Sequence, residues 1–139
     1  MRKTGLASQL GVTKIVTMSG CPGDQPGAHT INWVFYPWPP EGMALLERQW
    51  EQTIAFWQDF TSFTDNHGID RIALELHSMH LVYNAPTLLR LREAIGPVIG
   101  ANVDPSHMFW QRMDPALIVR TLGPAVHHVH LKDVEYRLE

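Results

Sequence analysis

Asp104 and His107 stand three residues apart in the segment NVDPSHMFWQ, directly after the apolar run Val98 to Val103. A carboxylate and an imidazole at that spacing suit a divalent cation or a substrate oxygen. Glu75 closes a second apolar run, IALEL, and His128 and His130 lie in a third, VHHVHLKD. Three strand-like segments thus each deliver a metal-compatible donor near their C-terminal ends. Each donor alone has a plainer reading. Glu75 could pair with Arg71, Asp-Pro could be an Asx turn or a helix cap, and any one histidine could be a core residue bonded to backbone. The recurrence of the pattern favours Glu75, Asp104 and His130 as ligands. His130 is later in its strand than His128, which is expected deeper, as an orienting neighbour. His127 is expected on the opposite face, because strand side chains alternate. His107 could be a metal ligand or meet a substrate oxygen, and the second role is favoured because Asp104 is nearer its strand.

Further residues could contact a small molecule. His77, His80 and Asn84 follow Glu75 in a loop, HSMHLVYN. Lys132 and Asp133 follow His130 and could meet a hydroxyl or an anion, or be a solvated strand end. Trp33 or Trp38 could cover a sugar face, or staple the long loop that contains them. Trp50 and Trp57 have helical spacing and are expected in the core. Cys21 has no evident base partner, so nucleophilic catalysis by it has little support. Gly-x-Gly-x-x-Gly, P-loop and Gly-x-Ser-x-Gly patterns are missing from the sequence.

The elements that must position these residues follow from periodicity and breakers. Helical patterns cover Arg2 to Leu10, Met43 to His67, Ala85 to Ile95 and Asp114 to Leu122. Gly11 and Gly68 end two of them, and Gly-Pro pairs end the others. Asp114 reads as an N-cap with Pro115 at the first turn. Strands are expected at Thr13 to Met18, Arg71 to Leu76, Val98 to Val103 and Ala125 to Leu131. A long Gly-, Pro- and aromatic-rich loop spans Asp24 to Gly42, and loops are expected at His77 to Asn84 and Asp104 to Arg112. Strands alternating with helices predict a parallel α/β sheet with right-handed crossovers.

The 139 residues allow one domain. A net charge of −3 with scattered Lys and Arg argues against a nucleic-acid footprint. Apolar runs fall short of the ~18 residues of a membrane span, and the N-terminus has no long apolar stretch of the signal-peptide kind. A single cysteine excludes an internal disulfide and suits a reducing, cytoplasmic setting.

Six segments together, SGCPG, NWVFYPWPPE, IALELH, YNAPTLLRLREAIG, NVDPSHMFWQRMDP and HHVHLKD, make the chain resemble the sugar phosphate isomerase/epimerase family, the xylose isomerase-like TIM barrels. The resemblance implies a partial (β/α)8 barrel whose four strands match the fourth to the seventh. It implies one divalent ion, Mn2+, Mg2+, Co2+ or Zn2+, on Glu75, Asp104 and His130. Glu75 would also be one acid/base of a pair moving a proton next to a carbonyl, with His107 on substrate oxygens, and the metal would stabilise the resulting enediolate. The implied substrate is a small sugar or polyol. Whole barrels of this kind take about 250 residues. The first three strands and the eighth, with a second glutamate, are therefore expected to lie outside this chain. Truncation is the expectation favoured over two copies pairing into a closed shell. Three alternatives stand beside the epimerase reading: an endonuclease IV-like metal hydrolase, a related dehydratase, and a non-catalytic fragment that needs a partner chain.

Overall fold

The computed structural model describes residues 2–36, 38–135 and 137. The elements run α1 (Arg2–Gln9), β1 (Lys14–Thr17), α2 (Pro40–Asp65), β2 (Arg71–Glu75), α3 (Ala85–Ile95), β3 (Ile99–Val103), α4 (Pro105–Phe109), α5 (Pro115–Leu122), a 3-10 turn (Gly123–Ala125) and β4 (Val126–Val129). The strands form one parallel sheet in the order β1-β2-β3-β4. Sequential neighbours joined by helices are what right-handed β-α-β crossovers produce. The expected architecture, four parallel strands alternating with helices as in part of a TIM barrel, is what the chain adopts.

Side-chain alternation divides the sheet into two faces. Ile72 and Leu74 of β2, and Ile99, Ala101 and Val103 of β3, face the helices and are at most 1% exposed. Against them pack Trp50 and Trp57 of α2, Leu88 and Leu91 of α3, and Ile118 and Leu122 of α5. Each such side chain contributes about 1.5–3 kcal/mol by leaving water. Truncating Leu88, which is wholly buried, to alanine would cost about 2–5 kcal/mol. The other, inner face carries Ala73 and Glu75 of β2 opposite Gly100 and Asn102 of β3.

Local chemistry sets the boundaries. In α3, Asn84 accepts from the Thr87 amide while the Thr87 hydroxyl takes the Asn84 amide, a reciprocal cap. In α5, Asp114 accepts from the amides of Ala116 and Leu117. The long loop before α2 is pinned from beneath by Gln49, whose Nε2 donates to Pro22 O at 2.8 Å and Asn32 O at 2.7 Å.

Two expectations are corrected. The segment Asp104 to Arg112 is not all loop, because Pro105–Phe109 forms α4. Pro105 sits in the first helical turn, where its ring suits the backbone, and the Asp104 side chain accepts from the Ser106 amide. His127 does not point away from its neighbours. Ala101 pairs with Val126 but Asn102 pairs with His128, so β4 carries one extra residue, and that residue is His127. Its ring lies over Gly100, on the inner face.

Candidate metal centre

Glu75, Asp104 and His130 come from the C-terminal ends of three adjacent strands. Their donor atoms all lie within 4.8 Å of one another. Glu75 is the last residue of β2, Asp104 follows β3, and His130 follows β4 with its amide donating to Val103 O at 2.9 Å. His130 Nδ1 is 3.5 Å from Asp104 Oδ2 and 3.8 Å from Glu75 Oε1. His107, lifted by α4, sets Nε2 3.0 Å from Glu75 Oε1 and 3.6 Å from Asp104 Oδ2. Arg71 is not the partner of Glu75 among the described contacts; His107 is.

Asp104 is completely buried, and its two oxygens do different work. Oδ1 accepts from the Ser106 amide at 3.1 Å and the Ser106 hydroxyl at 2.6 Å. Oδ2 accepts no well-aligned hydrogen bond, yet the Lys132 ammonium sits 2.5 Å from it. Burial by itself pushes this carboxyl up. Lys132, Ser106 and His107 outweigh that and hold it below the ordinary carboxylate range. The Lys132 amine is raised in turn, chiefly by its contact with Asp104. A buried carboxylate oxygen already drawing a cation, with a second carboxylate and an imidazole beside it, fits a divalent ion held by oxygen and nitrogen.

Other expected site residues fall into two groups. His77 is brought in, with its ring 4.2 Å from that of His107 and its Nδ1 2.6 Å from Ser78 O. His80 lies one step further out, 5.7 Å from His77, and burial holds its imidazole below the usual histidine range. His128 neighbours His130 at 5.3 Å between rings, with Lys14 Nζ 3.4 Å from its Nδ1. Asn84 and Trp33 are not joined to the cluster by any described contact. The Asn84 side-chain carbonyl caps α3. Trp33 stacks on Phe35 at 4.8 Å and meets Tyr83 edge-on, in a pocket of about 190 Å³ against α2. Asp133 accepts from the Val134 amide. Cys21 touches Pro22 O and Asn32 O, and burial pushes its thiol up.

Sequence reasoning missed Ser106 and Asn102. Ser106 orients Asp104, and the Asp-x-Ser spacing carried that signal. Asn102 is wholly buried, and its Nδ2 lies 3.2 Å from His130 Nδ1. A lone amide inside VIGANV was the available clue.

A family model described as Xylose isomerase-like TIM barrel matches residues 1–139. The uncharacterized protein YfiH of Bacillus subtilis (strain 168) is 46% identical over 132 residues, which cover 93% of this chain and 42% of YfiH. The crystal structure of the probable 3-DHS dehydratase AsbF involved in the petrobactin synthesis from Bacillus anthracis matches with a TM-score of 0.71 at 19% identity. That match covers 97% of this chain and 43% of AsbF. The chain thus spans less than half the length of both proteins. No helix among the described residues is long and apolar enough to cross a membrane.

Proposed function

The chain belongs to the xylose isomerase-like TIM barrel family, and on that premise we propose that its rim cluster serves a metal-dependent sugar isomerase or epimerase. The observation that carries the reading is the convergence of Glu75, Asp104 and His130 from three successive strand ends. These three would hold one Mn2+, Mg2+, Co2+ or Zn2+ ion. When bound, the ion supplies Lewis-acid stabilisation of negative charge on neighbouring carbonyl and hydroxyl oxygens. Glu75 takes or returns the proton on the carbon beside the carbonyl. His107, whose Nε2 is 3.0 Å from Glu75 Oε1, holds Glu75 in place and would turn that nitrogen to a substrate oxygen when one is bound. Lys132, half exposed at the mouth, and His77 and His128 flank the space where a small polyol or keto-sugar would lie. Asn84 and Trp33 join only a larger substrate that reaches the α3 end of the rim. The fourth ligand and the second acid/base come, in this reading, from outside the three strands that carry the cluster. They lie on further strands of a barrel or on a second copy of the chain.

A dehydratase is the second reading, favoured by the structural likeness to AsbF, a probable 3-DHS dehydratase. It shares the first step, removal of a proton beside a carbonyl, and then expels a β-hydroxyl as water. Two measurements test these readings. Mn2+ or Co2+ should raise the thermal stability of the chain, by about 2.7 kcal/mol at a hundred times Kd. Asp104→Ala should abolish the shift. No stabilisation of the native chain would sink the metal assignment. Incubation with keto-sugars in D2O then separates the chemistries: exchange at the α-carbon alone marks the epimerase, and a conjugated enone marks the dehydratase.

A further inference from the structure

β4 holds one residue too many to serve the inner face by simple alternation. Val126 pairs with Ala101 and packs against the core. Strict alternation from that point would turn His127 inward, His128 outward, Val129 inward and His130 outward. The ladder instead resumes at Asn102 with His128 and Val103 with Val129. His127 is therefore the inserted residue, and both it and His128 face inward. The effect reaches the metal cluster, because the inserted residue is what brings His130 to within 3.5 Å of Asp104 Oδ2.

The space for the insertion comes from β3. A β-carbon built on Gly100 would lie no more than 2.5 Å from Cγ, Nδ1 and Cδ2 of His127. The His127 ring occupies the volume that any other residue at position 100 would need. Gly100 has no positive φ, so its backbone conformation does not demand glycine; the space does. Lys14 secures the insertion from across the sheet, its Nζ donating to His127 O at 3.2 Å.

We propose that the extra residue in β4, seated because Gly100 leaves room for it, is a register lock that turns His130 into the metal site. Gly100 is the positioning residue, acting through His130, and the His127 ring is the group it makes room for. The proposal rests on the reading of the cluster as a metal centre only for its metal readout.

The test uses the 139-residue chain with two readouts, Mn2+ affinity by calorimetry and slow hydrogen exchange of the His130 amide by NMR. Gly100→Ala is expected to weaken Mn2+ roughly 10–100-fold, the effect of disturbing a ligand's support, and to expose the His130 amide. His127→Ala should keep both properties, because it empties the space without removing the extra residue. Gly100→Ala combined with His127→Gly should regain both, and it decides the matter even where Gly100→Ala alone fails to fold. The proposal is overturned by wild-type behaviour of Gly100→Ala, by loss of both properties in His127→Ala, or by a folded double variant that regains neither. Should the native chain not bind Mn2+, the metal reading falls, and the His130 amide alone decides the lock.

Discussion

Asp104 links three roles in one side chain: it caps α4 through Oδ1, pairs with Lys132 through Oδ2, and faces His130. Because its carboxyl is held low, it is ionised and ready for a cation at neutral pH. Ser106→Ala removes the 2.6 Å hydroxyl contact. It is expected to cost about 1 kcal/mol in urea denaturation without metal and to weaken Mn2+ about tenfold. Unchanged values on both counts would show that Ser106 does not orient the carboxylate. Cap and ligand are rival readings of Asp104 in the sequence, and its two oxygens allow both. His127 makes a second prediction at this scale. Burial, then Arg92, hold its imidazole below the ordinary value of 6.5, with Arg71 and Lys14 adding to the effect and the Ile72 backbone opposing it. The unfolded chain therefore binds a proton that the folded chain refuses. Stability is complete above that value and falls as pH drops through it, by at most about 1.4 kcal/mol per pH unit for this group. Denaturation midpoints between about pH 7.5 and 5.5 should fall less in His127→Ala than in the native chain; equal slopes would remove His127 as the cause.

At the scale of elements, the donors are placed by strand ends and the strand ends are placed by helix stops. The α3 cap is a local example. Asn84→Ala should cost about 1 kcal/mol of stability while leaving Mn2+ affinity alone, since no described contact joins Asn84 to the cluster. A change in affinity would bring Asn84 into the site after all. Elements of this kind were legible in the sequence because their signals are local: Pro and Asp at starts, Gly-Pro at stops, β-branched runs between. Ala85–Ile95 falls on the residues that its pattern gives. The start of α2 lies at Pro40, three residues before Met43, because the Pro-rich segment reads as loop although proline fits a first turn. α4 was hidden by its length of five residues, too short to show a helical period. The insertion at His127 was hidden for another reason. Alternation is a property of one strand, whereas an inserted residue is a property of a pair, and the space for it lies on β3 at Gly100.

At the largest scale, the sheet of the described residues is open. Among the described residues β1 pairs with β2 alone and β4 with β3 alone, so both edges present unpaired backbone groups. Apolar side chains stand exposed beside them, Val16 at 41%, Met18 at 39% and Leu131 at 92%. Edges and apolar surface of this kind favour association. A second copy joined β4 to β1 and β1 to β4 by a two-fold axis would supply eight parallel strands. If two copies close the shell in this way, light scattering on a size-exclusion column gives a mass twice the 15.8 kDa of one chain, rising in share with concentration. A monomer at every concentration would leave closure to other strands.

The edge position of β4 has a kinetic consequence. This strand has four residues, hangs from a single neighbour, and is followed at once by His130. Peeling it from β3 is a local opening that costs less than global unfolding. Each such opening would withdraw one donor from the ion while Glu75 and Asp104 stay in place. In a chain whose β4 no second copy covers, the residence time of an ion held as proposed would be set by the fraying of that strand, not by the strength of the three donors. Release of Mn2+ to a chelator should accelerate in urea well below the unfolding midpoint, and a rate indifferent to mild urea would place the gate elsewhere.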